Sequence, residues 1–307
     1  MDLNRILPGI KWIFSRVGII YMALFVALAC LVDVKAAESR IKMRRLNDAR
    51  PPMNSLVSLT KGEMLPAAIE WKPYRRYFEL VLRYMPDEWT ARMFLGICEH
   101  YQGEPQKAVM DMRRSAESFL PLFWSSYNAA VLTFQGGDMP KALDYAERAL
   151  RVSPAVVDMA MRSSVIYRQI MFASNFDIDI SRDLASARED LYLLRTAAQY
   201  YIKDFNASRA AALQAVAESG IQDKEPFYFF AGASDIGLGN TTEALSLLGV
   251  CLKLKSRNPL AYRYAGDILS AVGKAEEARS LWQLAGGLQR HSESSFPYAS
   301  RLRLRFM

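Results

Sequence analysis

The sequence predicts an all-α chain, with one transmembrane helix followed by an α-solenoid of about six to seven helix pairs. Three observations predict it. Residues 17–32 carry no charge. A Gly followed five residues later by Ala recurs at multiples of 34 residues. Apolar residues make up 51% of the 307 and charged ones 23%, enough to pack a core and too apolar for a disordered chain. Three Cys exclude a small disulfide-built scaffold, and two His, His100 and His291, leave little for a histidine-built site.

Residues 1–16 form a basic N-terminal segment with Arg5, Lys11 and Arg16. Residues 17–34 form the transmembrane helix. Its uncharged core rises roughly 24 Å, against a hydrocarbon layer of about 30 Å. Trp12, Ile13 and Phe14 extend the apolar character upstream and Val34 downstream, while Arg16 and Lys35 snorkel to the interfaces. Two other readings stay open. One is a cleaved signal peptide, for which Val34-Lys35-Ala36 is a poor cleavage site. The other is a lipoprotein acylated at Cys30, which Ala27-Leu28-Ala29 fits loosely.

Residues 35–54 read as a basic juxtamembrane linker. Within them Lys35, Arg40, Lys42, Arg44, Arg45 and Arg50 stand against Glu38 and Asp48, a net of +4. That suits either a collar on anionic lipid headgroups or a solvated helix of mixed charge. The excess of basic residues after the apolar stretch favours a cytoplasmic repeat domain, and Lys11 and Arg16 argue for the periplasm. Free thiols at Cys98 and Cys251 weakly favour a reducing compartment. The net charge of +7 sits in residues 35–50 and in the tail, leaving residues 51–287 near neutral, which argues against a nucleic-acid partner.

The repeat is the most informative feature. Gly103 and Ala108, Gly137 and Ala142, Gly239 and Ala244, and Gly273 and Ala278 keep one 34-residue register. It starts units near 55, 89, 123, 157, 191, 225 and 259, so that the solenoid covers residues 55–292. Further small residues fall in step: Gly96 and Ser115, Ala130 and Ala149, Ala198, Ala210 and Ala217, Gly232 and Cys251, Gly266 and Ala285. Pro86 and Pro154 end helices. Unit 55 keeps only its second half, Tyr74 to Tyr84, because Pro51, Pro52 and Pro66 interrupt the first. Unit 157 lacks the Gly and has a displaced second helix near Arg182–Asp190. It reads either as a change of superhelical path or as a functional insertion.

This pattern resembles the tetratricopeptide repeat family. The resemblance covers roughly residues 70–288 and is specific for fold rather than function. It implies that the first helix of each pair lines a concave, partner-binding groove. The groove positions are Met93 and Ile97 in unit 89, and Trp124, Tyr127, Asn128, Val131 and Phe134 in unit 123. They continue with Arg162 and Arg168 in unit 157 and Tyr192 and Arg195 in unit 191. Aromatics, Met and Arg are residue types that interfaces favour. Some members of the family bind C-terminal carboxylates through a Lys/Asn/Arg clamp. Asn128 and Arg162 match that clamp but Met93, Ile97 and Asp158 do not, so it is expected to be absent.

No Walker loop, Gly-x-Ser-x-Gly, Cys-x-x-Cys or His-Glu-x-x-His motif occurs. The expectation is therefore a non-enzyme with no cofactor, metal or small-molecule substrate. The basic tail, residues 293–307, ends Ser300-Arg301-Leu302-Arg303-Leu304-Arg305-Phe306-Met307. Its alternation is that of a strand, of an interaction segment that orders on binding, or of a frayed end. The resemblance, with the anchor, implies a scaffold or assembly subunit binding other membrane-associated proteins. The context it implies is a bacterial inner membrane, in envelope biogenesis, secretion or polysaccharide export. The alternatives are a peptide-binding targeting receptor or co-chaperone, and a periplasmic lipoprotein assembly factor.

Overall fold

A computed structural model describes residues 3–61, 63–118, 122–175, 180–289 and 296–305, with side chains from residue 20 onward. Residues 1–2 of the N-terminal segment and 293–295 and 306–307 of the tail lie outside the described residues. The chain divides into two units, Met1–Pro51 and Pro52–Met307.

The first unit is one helix, α1 (Leu3–Ala49), about 70 Å long at 1.5 Å per residue. Its Ile20–Ala49 portion is long and apolar enough to cross a membrane. Tyr21, Met22 and Phe25 are each about 70% exposed. The expected linker is helical over residues 35–49, because residues 19–50 hold no Gly or Pro and the first breakers are Pro51 and Pro52.

The regular structure of the second unit is all helical, with no strand among the described residues. It begins with α2 (Asn54–Thr60) and a 3-10 turn at Pro66–Ala68. Then come α3 (Trp71–Tyr84), α4 (Trp89–Tyr101), α5 (Pro105–Ala116), α6 (Phe123–Gln135) and α7 (Met139–Arg151). A short hairpin is next, α8 (Pro154–Ser163) and α9 (Val165–Ala173). The array closes with α10 (Ile180–Tyr201), α11 (Phe205–Ala217), α12 (Glu225–Gly237), α13 (Thr241–Lys253), α14 (Pro259–Ala271) and α15 (Ala275–Gln289).

Each pair is made by the same local rules. Gly103, Gly137, Gly239 and Gly273 all have φ between +80° and +84°, the left-handed conformation that ends the first helix. At Gly137 the turn closes with Gly137 N–H on Phe134 O and Asp138 N–H on Thr133 O, and Asp138 then caps α7. Small residues set the approach within a pair. A Cβ on Gly232 would meet Leu248 Cγ at 2.9 Å and Ala244 O at 3.3 Å.

Consecutive helices pack along an unbroken series from α3 to α7 and from α10 to α15. That makes five full pairs with α3 as a single capping helix. Three departures from the sequence expectation stand out. First, the unit expected at 157 leaves the stack, and α10 packs directly on α7. Arg188 seals this joint by donating to Leu150 O and Val152 O at the end of α7, with its guanidinium 5.8 Å from the Phe123 ring centroid. Second, Arg182–Asp190 is not a separate second helix but the first half of the 22-residue α10. Third, the fifth unit runs two residues early. Lys203, with φ +65°, takes the left-handed place of the glycine, and α11 starts at Phe205. The small residues buried between α10 and α11 are accordingly Ser208 and Ala215, while Ala210 and Ala217 are exposed.

Candidate functional site: the covered concave groove

The first helices of four of the five pairs, α4, α6, α10 and α12, turn one face inward. Two segments of the chain itself lie on it.

The α8–α9 hairpin covers the N-terminal end and packs on α2 and α4. Ser164 separates its two helices and caps α9 by accepting from Tyr167 N–H at 3.2 Å. Thr90 Oγ1 donates to Ser164 Oγ at 2.6 Å, and Ser164 Oγ donates to Glu88 Oε1 at 2.9 Å. Tyr77 donates to Gln169 Oε1 at 2.8 Å. The fully buried Tyr167 ring meets Phe94 edge-on at 6.1 Å and Trp89 at 5.7 Å. Met93 and Ile97 share the helical stripe of Thr90 and Phe94 and are fully buried.

Residues 296–305 cover the C-terminal end. Residues 296–301 form turns, and 302–305 have no regular structure, so the strand that the alternation allowed does not form. Phe296 packs on Phe134 at 5.1 Å, Tyr201 at 6.3 Å and Phe230 at 6.4 Å. Tyr298 accepts from Asn258 Nδ2 at 3.1 Å and donates to Glu225 Oε1 at 3.2 Å. Further along, the groove grips main chain. Gln135 Nε2 donates to Leu302 O at 3.0 Å. Asn128 Nδ2 donates to Arg305 O and its Oδ1 accepts from Arg305 N–H, both at 2.8 Å.

Charge completes the contact. Arg305 Nη2 lies 2.6 Å from Asp190 Oδ2 and 2.8 Å from Ser186 Oγ, and its Nε donates to the Tyr127 hydroxyl at 3.2 Å. The Tyr127 hydroxyl is 3.1 Å from both Asp190 Oδ2 and Arg303 O, either of which can take its proton. Arg301 pairs with Glu189 and, at 3.0 Å, with Asp223. Burial raises the Asp190 carboxyl above the usual range and the facing Arg305 opposes this. Burial, then the nearby Asp190 charge, pushes the Tyr127 phenol up. Burial likewise raises Glu225, with Ser256 and Tyr298 opposing through hydrogen bonds.

The residues expected to line the groove divide three ways. Met93, Ile97, Trp124, Tyr127, Asn128, Val131 and Phe134 are all closed off from solvent. Of these, Tyr127, Asn128 and Phe134 touch the tail, and Trp124 packs edge-on against Phe123 and Tyr127. Arg162 and Arg168 are exposed on the hairpin, where with Met161, Met171, Phe172 and Ile180 they border a cavity of about 350 Å³. Arg162 is held by Asp158 at 2.8 Å. Tyr192 and Arg195 do not face the tail. Arg195 lies over Tyr192 at 5.1 Å and donates to Gln214 of α11 at 2.9 Å. The two-residue shift explains this, since it moves the groove position from Tyr192 to Asp190. Sequence reasoning missed Glu189, Asp190, Asp223, Glu225 and Asn258. Adjacent acids ahead of a tail with three arginines were the available signal.

Among the described residues no group of three His, Cys, Asp or Glu is placed to hold a metal. Cys98 and Cys251 are buried free thiols and Cys30 is exposed.

Fold and groove together define a tetratricopeptide-type α-solenoid whose inner face is occupied by its own chain. No protein-family model matches the sequence, and no curated protein does. Solved structures are similar to it. A crystal structure of MamA covers 64% of this chain and 95% of its own, at 14% identity and a TM-score of 0.46. A tetratricopeptide repeat protein from Parabacteroides merdae covers 85% and 97%, at 16% identity and a TM-score of 0.39. The TPR2AB domain of yeast Sti1, in its complex with pHSP90, covers 84% and 97%, at 13% identity and a TM-score of 0.31. The fold assignment itself rests on the glycine turns and buried small residues of this chain.

Proposed function

We propose that the protein is a membrane-anchored adaptor that holds partner proteins through the concave face of its solenoid. One observation carries this reading. Asn128 takes both main-chain groups of a single residue of a non-helical segment. Backbone capture of that kind binds a peptide irrespective of its side chain at that place, and neighbouring pockets then supply selectivity. The exposed apolar surface of α1 supports anchoring, because soluble surfaces rarely carry a contiguous patch of that size. The net +3 of residues 35–49 lies on the same helix and suits an anionic inner leaflet, with the repeat domain on the cytoplasmic side. The favoured context is a bacterial inner-membrane complex of envelope biogenesis, secretion or export.

The test is purification of the full-length protein from its native membranes in mild detergent, with mass spectrometry of the proteins that co-purify. Membrane proteins in constant ratio establish the scaffold. A varied set of soluble proteins held weakly favours a peptide receptor, a second reading that the occupied groove itself supports. An intact mass showing loss of residues 1–29 and lipid on Cys30 would replace both with a lipoprotein.

A further inference from the structure

We propose that the C-terminal half of the groove is a receptor for an extended segment of another protein carrying two arginines four residues apart with leucine-like residues between, and that residues 296–305 are its resident competitor. This rests on the groove being the partner site. It is tested with purified protein and a peptide, so a pull-down without partners and a peptide that fails to bind are separate failures.

The groove reads backbone and charge with different groups. Asn128, Gln135 and Tyr127 contact the main chain of Leu302, Arg303 and Arg305, which an α-helical ligand could not offer because its own turns consume those groups. Selection of side chains falls to Glu189, Asp190 and Asp223, where Arg301 and Arg305 both end. Arg303, between them, is exposed, and the apolar Leu302 and Leu304 are 2% and 5% exposed. A competing segment without the second arginine would leave the Asp190 carboxylate, 4% exposed, with only the Tyr127 hydroxyl at 3.1 Å and the first arginine at 3.9 Å, a much weaker pairing for a buried charge. The groove therefore rejects acidic and neutral segments.

The cover is a non-helical segment laid on helices that also contact one another directly. The five helix pairs pack against one another in an unbroken series that does not include residues 296–305. The segment is joined to α15 by residues 290–295 only. A tether that short holds a ligand at an effective concentration in the millimolar range, so a micromolar ligand in trans is suppressed roughly a thousandfold until the tail lets go. A partner that competes has to match the tail's chemistry at high local concentration, as one fixed in the same membrane does.

The experiment uses the full-length protein in detergent and a fluorescent peptide with the sequence of residues 296–305. The variant R301E/R305E, whose own tail is repelled by Glu189 and Asp190, is expected to bind this peptide at least tenfold more tightly than the wild type. Adding Asn128→Ala to that variant is expected to abolish the gain, as is replacing the peptide arginines that correspond to Arg301 and Arg305 by Glu. A released variant that keeps its helical circular dichroism and binds no better than wild type overturns the proposal and makes the segment a structural strap. Should the variant not fold, hydrogen exchange on the wild type decides. Excess isotope-labelled peptide is expected to speed exchange at the Arg305 amide, and no change at millimolar peptide overturns the proposal. Wild-type dimers that vanish in R301E/R305E would support it, with a second copy as the partner.

Discussion

The inner face of the solenoid is covered twice, and the two covers differ in kind. The α8–α9 hairpin is fastened to the array at both ends and seats itself with aromatic rings and hydroxyls, Tyr167 on Phe94 and Ser164 on Thr90. The C-terminal segment is fastened at one end, and to the aromatic packing of Phe296 and Tyr298 it adds arginines on carboxylates, which the hairpin lacks at its seat. Apolar seating is insensitive to salt and adds to the folding free energy, whereas charge seating is screened and specific. The hairpin belongs to the fold, and the tail behaves as a ligand.

Four measurements break or sharpen that contrast, from the largest expected effect to the smallest. Tyr167→Ala empties a fully buried ring site, so thermal unfolding should show a loss of about 3–5 kcal/mol. A loss below 1 kcal/mol would mean that the hairpin is as dispensable as the tail. Glu99, on α4 in the hairpin-covered half, is 4% exposed, and burial with the nearby Asp111 charge raises its carboxyl to about 7. A folded-state value above the unfolded one contributes stability below about pH 4.5 that is lost as pH rises through 7. Glu99→Gln should therefore stabilise the protein by about 3 kcal/mol at pH 8 and by nothing at pH 4. A gain that is the same at both pH values would refute the assignment.

Arg301→Ala with Arg305→Ala should cost only about 1–2 kcal/mol, because the tail can lift away and let the carboxylates it paired with rehydrate. Helical circular dichroism should stay unchanged and near-ultraviolet signals from Tyr298 should change. Raising salt from 0.1 to 1 M shortens the screening length from about 10 to 3 Å. It should therefore speed tryptic cleavage at Arg303 severalfold and leave cleavage at the hairpin's Arg162 as it was.

Much of the fold was legible because it follows from short-range rules. Gly103, Gly137, Gly239 and Gly273 end helices in the one conformation that favours glycine, and Ala108, Ala142, Ala244 and Ala278 are the buried contacts they set up. The fifth unit misled because Lys203 adopts the left-handed conformation without a residue type that announces it. That slip of two carried the predicted site to Tyr192 and Arg195 and away from Asp190. The hairpin was legible as an irregularity at 157, but no local signal says that a misfit unit folds back on α4 instead of bending the stack.

By itself the sequence determined the anchor-like helix, the repeat and, in the units that carry the glycine turn, the small residues buried between paired helices. Each is a contact or a capping event between residues within about one repeat of one another, and a periodic pattern records such contacts. Only the tertiary structure decided what covers the inward face. Asn128 and Arg305 meet across 177 residues, and Tyr77 and Gln169 across 92. At those separations the sequence holds no spacing rule, only the complementarity of three acids with two arginines, and complementarity becomes contact once the stack has brought the acids into the tail's reach.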